Sequence, residues 1–322
     1  MKGIYFVAAT AASFIASGAM AQTVSNTSLQ NVNGTYGTST AATTTTATGT
    51  RTTVVGPGPN MAANRASGTP VLNGWYQANV GAGSTMGITT DYARSGNGSA
   101  YFNSTQGDTG KGDLIYYFGN AGRVAPVALS SLTSVSFDFY RDGASTTGAN
   151  LTPVLRFDMS KDGAFAGSLV FENVYQTQRA APVNSWTTLS ADLTNGIWWA
   201  TNGLLGPTDA AATGGQKTLA QWIADNGSAN LSVYGVEIGI GSGWSNQFFG
   251  AVDNVNVNFS SGRTVAANFE VASDVAAVPE PATWAMMILG FGIIGFGMRY
   301  SMRRSNAKFD LKIRRITAGL KA

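Results

Sequence analysis

Five charged residues, Asp138, Arg156, Asp158, Glu172 and Glu237, are the ones in this chain best placed to do chemistry. Each carboxylate lies opposite an apolar alternation, so the four are expected on the polar face of a sheet with Arg156 on a neighbouring polar position. Cleavage of a glycosidic bond would need two facing carboxylates with pKa values held apart. No spacing here marks such a pair, and surface ion pairing is the expectation instead. The chain contains no histidine and no cysteine. That removes Ser-His-Asp catalysis, imidazole acid–base chemistry, thiolate nucleophiles, disulfides and the usual zinc ligands. No catalytic residue is assigned, and the chain reads as a non-enzyme.

Binding chemistry has more candidates. Asp158, Ser160 and Asp162 followed by Gly163 copy the first half of a calcium loop, but the twelfth position is Leu169 rather than glutamate. A hairpin turn is therefore expected at Asp162-Gly163. Flat aromatic rings outside a core are what sugar recognition requires. Trp244 sits in the loop-like run Gly-Ser-Gly-Trp-Ser-Asn, and Trp198 and Trp199 are adjacent, so on a strand one of them faces away from the core. These three are the candidate ligand-binding residues, Trp244 first. Gly290, Gly292 and Gly295 fit a dinucleotide fingerprint but lie inside an apolar run with no strand-helix-strand unit around them, so phosphate binding is set aside.

The elements that must carry these residues are short strands. Val135, Phe137 and Phe139 alternate with polar neighbours, as do Leu155 and Phe157, then Leu169 and Phe171. Tyr234, Val236, Ile238 and Ile240 form another expected inward set, and Val255, Val257 and Phe259 a last one in a strand over 252–259. Asp142-Gly143 is a second expected hairpin turn. One helix is predicted over 218–226, with Leu219, Trp222 and Ile223 on one face. The fold class is all-β, an antiparallel jelly-roll β-sandwich with one short helix, spanning 61–278. On Ser95-Gly-Asn-Gly-Ser-Ala-Tyr-Phe102 and Gly250-Ala-Val-Asp-Asn-Val255, this region resembles the galactose-binding-like jelly rolls of carbohydrate-binding and laminin-type modules. The resemblance implies that a structural calcium, and no other cofactor, could use Asp253 with backbone carbonyls.

The ends carry address information. Residues 1–21 read as a secretory signal: a basic start, an apolar run, and Ala19 and Ala21 in the small-x-small pattern, with cleavage before Gln22. Residues 22–60 are rich in threonine and glycine, either a spacer or an O-glycosylated stalk. The formal charge of +3 hides two unlike parts: 11 basic against 16 acidic residues over 22–298, and 8 basic against one acidic over 299–322. The basic balance belongs to the tail, so no nucleic-acid partner is expected.

Residues 282–300 are apolar enough and, as a helix of roughly 28 Å, long enough to cross a bilayer once. Trp284 stands at the entry, and Arg299, Arg303 and Arg304 hold the exit on the cytoplasmic side. Preceded by Pro279-Glu280-Pro281 and containing Ala285, Met286 and Met287, residues 279–304 resemble the PEP-CTERM sorting signal. That resemblance implies a Gram-negative exported protein, handled by signal peptidase and by an exosortase at the inner membrane and cut near the Pro-Glu-Pro turn. It also implies a mature form at the cell surface or outside, associated with exopolysaccharide or biofilm. The alternatives are a carbohydrate-binding module acting on exopolysaccharide and a permanently anchored single-pass protein. Residues 305–322 extend past the usual arginine-rich end as a basic cytoplasmic tail. Within it Leu311, Ile313 and Ile316 stand among cations and are placed to lie along an anionic leaflet.

Overall fold

The computed structural model describes residues 22–25, 30–31, 40–46, 49–55, 74–81, 84–104, 110–118, 126–177, 180–208, 213–241, 244, 246–271 and 281–319. The chain divides into two units, Met1–Ala272 and Ser273–Ala322. The first begins with strands β1 (Gln22–Ser25), β2 (Gln30–Asn31), β3 (Thr40–Thr46), β4 (Gly49–Val55), β5 (Trp75–Ala78) and β6 (Ser84–Thr89). Strands β7 (Ser99–Ser104), β8 (Gly112–Tyr117), β9 (Val127–Ala128), β10 (Leu132–Arg141), β11 (Val154–Lys161) and β12 (Ala164–Phe171) follow. After a short helix α1 (Asn173–Thr177) come β13 (Trp186–Ala191), β14 (Trp198–Ala200), helix α2 (Leu219–Asp225), β15 (Leu231–Ile240), β16 (Phe248–Phe259) and β17 (Thr264–Glu270).

These strands make two sheets. The first runs β1-β17-β16-β7-β6-β4-β3, with β10 on the other side of β16 and β13 beyond it. The second runs β14-β12-β11-β15-β8-β5-β2, with β9 added to β15. Pairing is antiparallel except for β1 with β17 and β2 with β5, which are parallel. The two stretches that carry the jelly-roll resemblance are hydrogen-bonded neighbours: Ala100, Tyr101 and Phe102 of β7 face Val252, Ala251 and Gly250 of β16.

Alternation decides what is inside. Val135, Phe137 and Phe139 from the first sheet meet Leu155, Phe157, Leu169 and Phe171 from the second, all at most 1% exposed. Phe137 packs edge-on against Phe171 across the sandwich at 6.4 Å. Sealing each such side chain away from water contributes about 1.5–3 kcal/mol. Helix α2 forms where predicted because Thr218 and Gln221 cap it reciprocally: the Gln221 N–H donates to Thr218 Oγ1 at 3.3 Å, and the Thr218 N–H donates to Gln221 Oε1 at 2.9 Å.

Several expectations need correcting. Tyr234 does not share a face with Val236, Ile238 and Ile240. The β11–β15 register shifts between Asp158 and Met159, and this bulge turns Tyr234 to the outer face, against Ala78, Ile115 and Tyr117. Asp142-Gly143 is not a hairpin turn, because β10 and β11 lie in different sheets; it opens a loop in which Asp142 accepts from the Ala144 N–H and Tyr92 O–H. By contrast, Asp162 and Gly163 have φ of 51° and 82° and form the tight β11–β12 turn. A further strand, β17, follows the one expected to be last. The threonine tract supplies β3 and β4, a hairpin that extends the first sheet through β6. Threonine's branched side chain suits a pleated surface even where apolar residues are few.

The second unit is one helix, α3 (Pro281–Gly319). Side chains within it are described over 287–299 and for most residues from 302 to 318, and nearly all are exposed. Among these described residues no helix is long and apolar enough to cross a membrane. The side chains of Trp284, Ala285, Met286 and Arg304 fall outside the description, as do residues 1–21 with Ala19 and Ala21, and Pro279 and Glu280.

Candidate functional site

The outer face of the second sheet holds an ion cluster that the sequence places on a surface and the structure buries. Arg156 of β11, Glu237 of β15 and Asp113 of β8 stand side by side, and all three are under 10% exposed. Arg156 Nη1 donates to Glu237 Oε1 at 2.7 Å and to Asp113 Oδ1 at 2.8 Å. Lys111 Nζ reaches Asp113 Oδ2 at 2.8 Å, and Asn79 Nδ2 donates to the same oxygen at 2.8 Å. The arginine spans a strand to reach Asp113 because Gly239 lies between. A Cβ on Gly239 would sit 2.2 Å from the Gly112 carbonyl and 2.4 Å from Asp113 Oδ1.

Charge in this cluster is uneven. Burial pushes Asp113 up, but Lys111 and Arg156 outweigh it and hold the carboxyl below its usual range. Burial and the neighbouring Asp113 raise Glu237 despite Arg156. Burial lowers Arg156, but Asp113 and Glu237 more than reverse that and keep it charged. Burial likewise raises Glu172, which lies close to Arg156 and Trp199. Asp138, expected on this face, belongs to the first sheet, where it accepts from Arg94 Nε and Asn254 Nδ2. The four carboxylates are therefore divided between two sheets.

Next to the cluster, Asp158 accepts from Ser168 Oγ at 3.0 Å. Beyond it three rings follow one another: Tyr117 stacks on Tyr234 at 5.8 Å, and Phe165 meets Tyr234 edge-on at 6.3 Å. Phe165 is 51% exposed. At the sheet's other margin Trp199, paired with Val170, is half-buried. Asp113, Tyr117, Tyr234 and Phe165 were missed from sequence. The signal for Asp113 was an acid in the otherwise apolar strand Gly-Asp-Leu-Ile-Tyr-Tyr.

The other candidate tryptophans are core residues. Trp198 is fully buried between Phe157 and Phe171, with centroids at 4.8 and 4.9 Å. Trp244, first choice as a platform, is 7% exposed and packs edge-on against Phe248.

Asp253 is fully buried. Its carboxylate accepts from the Ser95 N–H at 3.2 Å and the Phe269 N–H at 2.9 Å, and burial raises its pKa to about 6. Hydrogen-bond donors converge on both oxygens, and donors do not ligate a cation. The residues present therefore do not fit a calcium ion, and among the described residues no group of three acidic side chains could hold a metal.

In the sorting segment, Met287, Arg299 and Arg303 are exposed on α3. Residues 277–304 match the PEP-CTERM protein-sorting motif, which implies an exported protein processed by an exosortase. No curated protein matches the chain. Among solved structures, the middle region resembles the β-sandwich folds of carbohydrate-binding modules. One is the family 11 module of the cellulosomal cellulase Lic26A-Cel5E of Clostridium thermocellum, at 17% identity and a TM-score of 0.33, covering 59% of this chain and 90% of that one. Another is a family 11 module of the same organism in complex with a β-1,3-1,4-mixed-linked tetrasaccharide, at 16% identity and 0.32, covering 62% and 92%.

Proposed function

We propose that this chain is the precursor of a non-enzymatic surface or matrix protein of a Gram-negative bacterium. Its signal peptide, residues 1–21, starts export, and residues 282–300 hold it in the inner membrane until an exosortase cuts near Pro279-Glu280-Pro281. The sandwich is then left outside, in association with exopolysaccharide or biofilm. The observation that carries this reading is the sorting motif on α3. Ile288, Phe291 and Phe296 there are 71%, 68% and 75% exposed, a run of apolar surface that water does not favour. Val24, two residues past the expected signal peptidase site, is 2% exposed in β1, which supports a folded region starting at that point. Fractionation of the producing cell tests the proposal. The sandwich should reach the cell surface or medium, and a Glu280→Ala, Trp284→Ala chain should stay in the inner membrane. Recovery of the parent only as an inner-membrane protein would favour a permanently anchored single-pass protein instead.

A second reading, carbohydrate binding, is favoured by the rings on the outer face of the second sheet. Phe165 and Trp199 offer partly open aromatic surface, and Glu172, close to Trp199, supplies a polar partner for hydroxyl groups. Binding of the parent to exopolysaccharide, lost in a Trp199→Ala, Phe165→Ala chain, would support it; equal binding by both would sink it. Neither reading asks the sandwich for catalysis, because the carboxylates nearest to each other are tied up by Arg156.

A further inference from the structure

The helix does not stop where the apolar run does. α3 continues without a break to Gly319, and its last turns are two-sided. With about 100° of rotation per residue, Phe309, Ile313 and Ile316 fall within an arc of about 60°. They are 64%, 46% and 54% exposed. Arg303, Lys308, Arg314 and Arg315 lie about 100° or more away from the stripe's centre on either flank. Leu311 points to the opposite, basic side.

We propose that residues 307–316 of the tail dock as an interfacial helix on anionic lipid headgroups of the same membrane that residues 282–300 cross. This rests on the membrane placement proposed above. Charge selects the occupant: Asp310 is the sole acid from 299 to 322, against eight cations. Such a tail repels a second copy of itself and is drawn to an anionic surface within a Debye length. The stripe then enters the boundary between headgroups and acyl chains, while the flanking cations reach the phosphates. For the tail to lie flat, the helix axis must turn at Ser305-Asn306, two weak helix formers between the exit arginines and Phe309.

The absence of cysteine makes the test direct, since one introduced thiol is the only labelling site. The full chain is reconstituted in vesicles of phosphatidylcholine alone, or with phosphatidylglycerol added. An environment-sensitive thiol label is placed at Phe291→Cys, Ile313→Cys or Leu311→Cys, and quenching by a water-soluble quencher is read. The label at 291 should be shielded in both lipids, and the label at 311 open in both. The label at 313 should become about tenfold less quenched when anionic lipid is present, and Arg314→Glu, Arg315→Glu should abolish that change. If the label at 313 stays as open as that at 311 while 291 is shielded, docking is wrong although the membrane reading stands. If 291 is open, both fall. Shielding at 313 that ignores lipid charge, with disulfides forming between copies, would mean that a second copy covers the stripe and would overturn the lipid assignment.

Discussion

Arg156 and Glu237 form a buried pair, Nη1 to Oε1 at 2.7 Å, on the outer face of a sheet whose inner face is the sandwich core. The same guanidinium nitrogen holds Asp113 at 2.8 Å. Arg156 is thus shared by two carboxylates that have left water, with Lys111 as the second cation on Asp113, and the cost of losing it should exceed the value of making it. Replacing Arg156 by Met should destabilise the domain by about 3–5 kcal/mol in urea unfolding. Glu237→Gln keeps an acceptor oxygen and removes the less favourable charge, so it should cost far less.

Asp253 gives the sandwich a pH dependence. Its folded-state pKa is about 6 against an ordinary 3.8, so the native state holds its proton longer than the unfolded chain does. That contribution is fully present below about pH 4 and lost as the pH rises through 6, worth about 3 kcal/mol in all. Glu237, also raised, acts in the same direction. Unfolding midpoints measured between pH 4 and 7 should fall with rising pH, and Asp253→Asn should flatten the part of that slope below pH 6.

Because N–H groups surround the Asp253 carboxylate, calcium should not support this domain. Millimolar calcium or excess chelator should shift the unfolding midpoint by less than about 1 °C. A clear stabilisation by calcium would mean that the cation binds elsewhere or rearranges the Ser95 and Phe269 contacts.

Trp244 and Trp199 should separate in mutagenesis. Trp244→Ala opens the core beside Phe248 and should cost about 3–5 kcal/mol. Trp199→Ala removes a half-buried ring at the margin and should cost much less, while being the variant that bears on glycan binding. Unfolding curves of the two variants, run in parallel, check this.

Much of the strand pattern was legible because alternation is local. Val135, Phe137 and Phe139 point inward simply because every second residue does, and Leu219, Trp222 and Ile223 on one face announce α2 within five residues. What was not legible depends on distant partners. The turn of Tyr234 to the outer face comes from a bulge against Asp158, some 75 residues away in the chain. The burial of Arg156 depends on Asp113 in another strand and on the missing side chain of Gly239. Trp244 looked like an exposed residue because glycines flank it, yet its ring is buried against Phe248. The carboxylates seemed to share a face because alternation assigns inside or outside but not which sheet. Asp138 turned out to lie on the other one.

Export should separate the folded sandwich from the sorting helix, and the intact mass of the exported form shows whether it does. The exported chain should begin at Gln22 and end close to Glu280, with no peptide from Lys308 onward recovered outside the inner membrane. An exported protein that still carries Lys308 to Lys312 would contradict it.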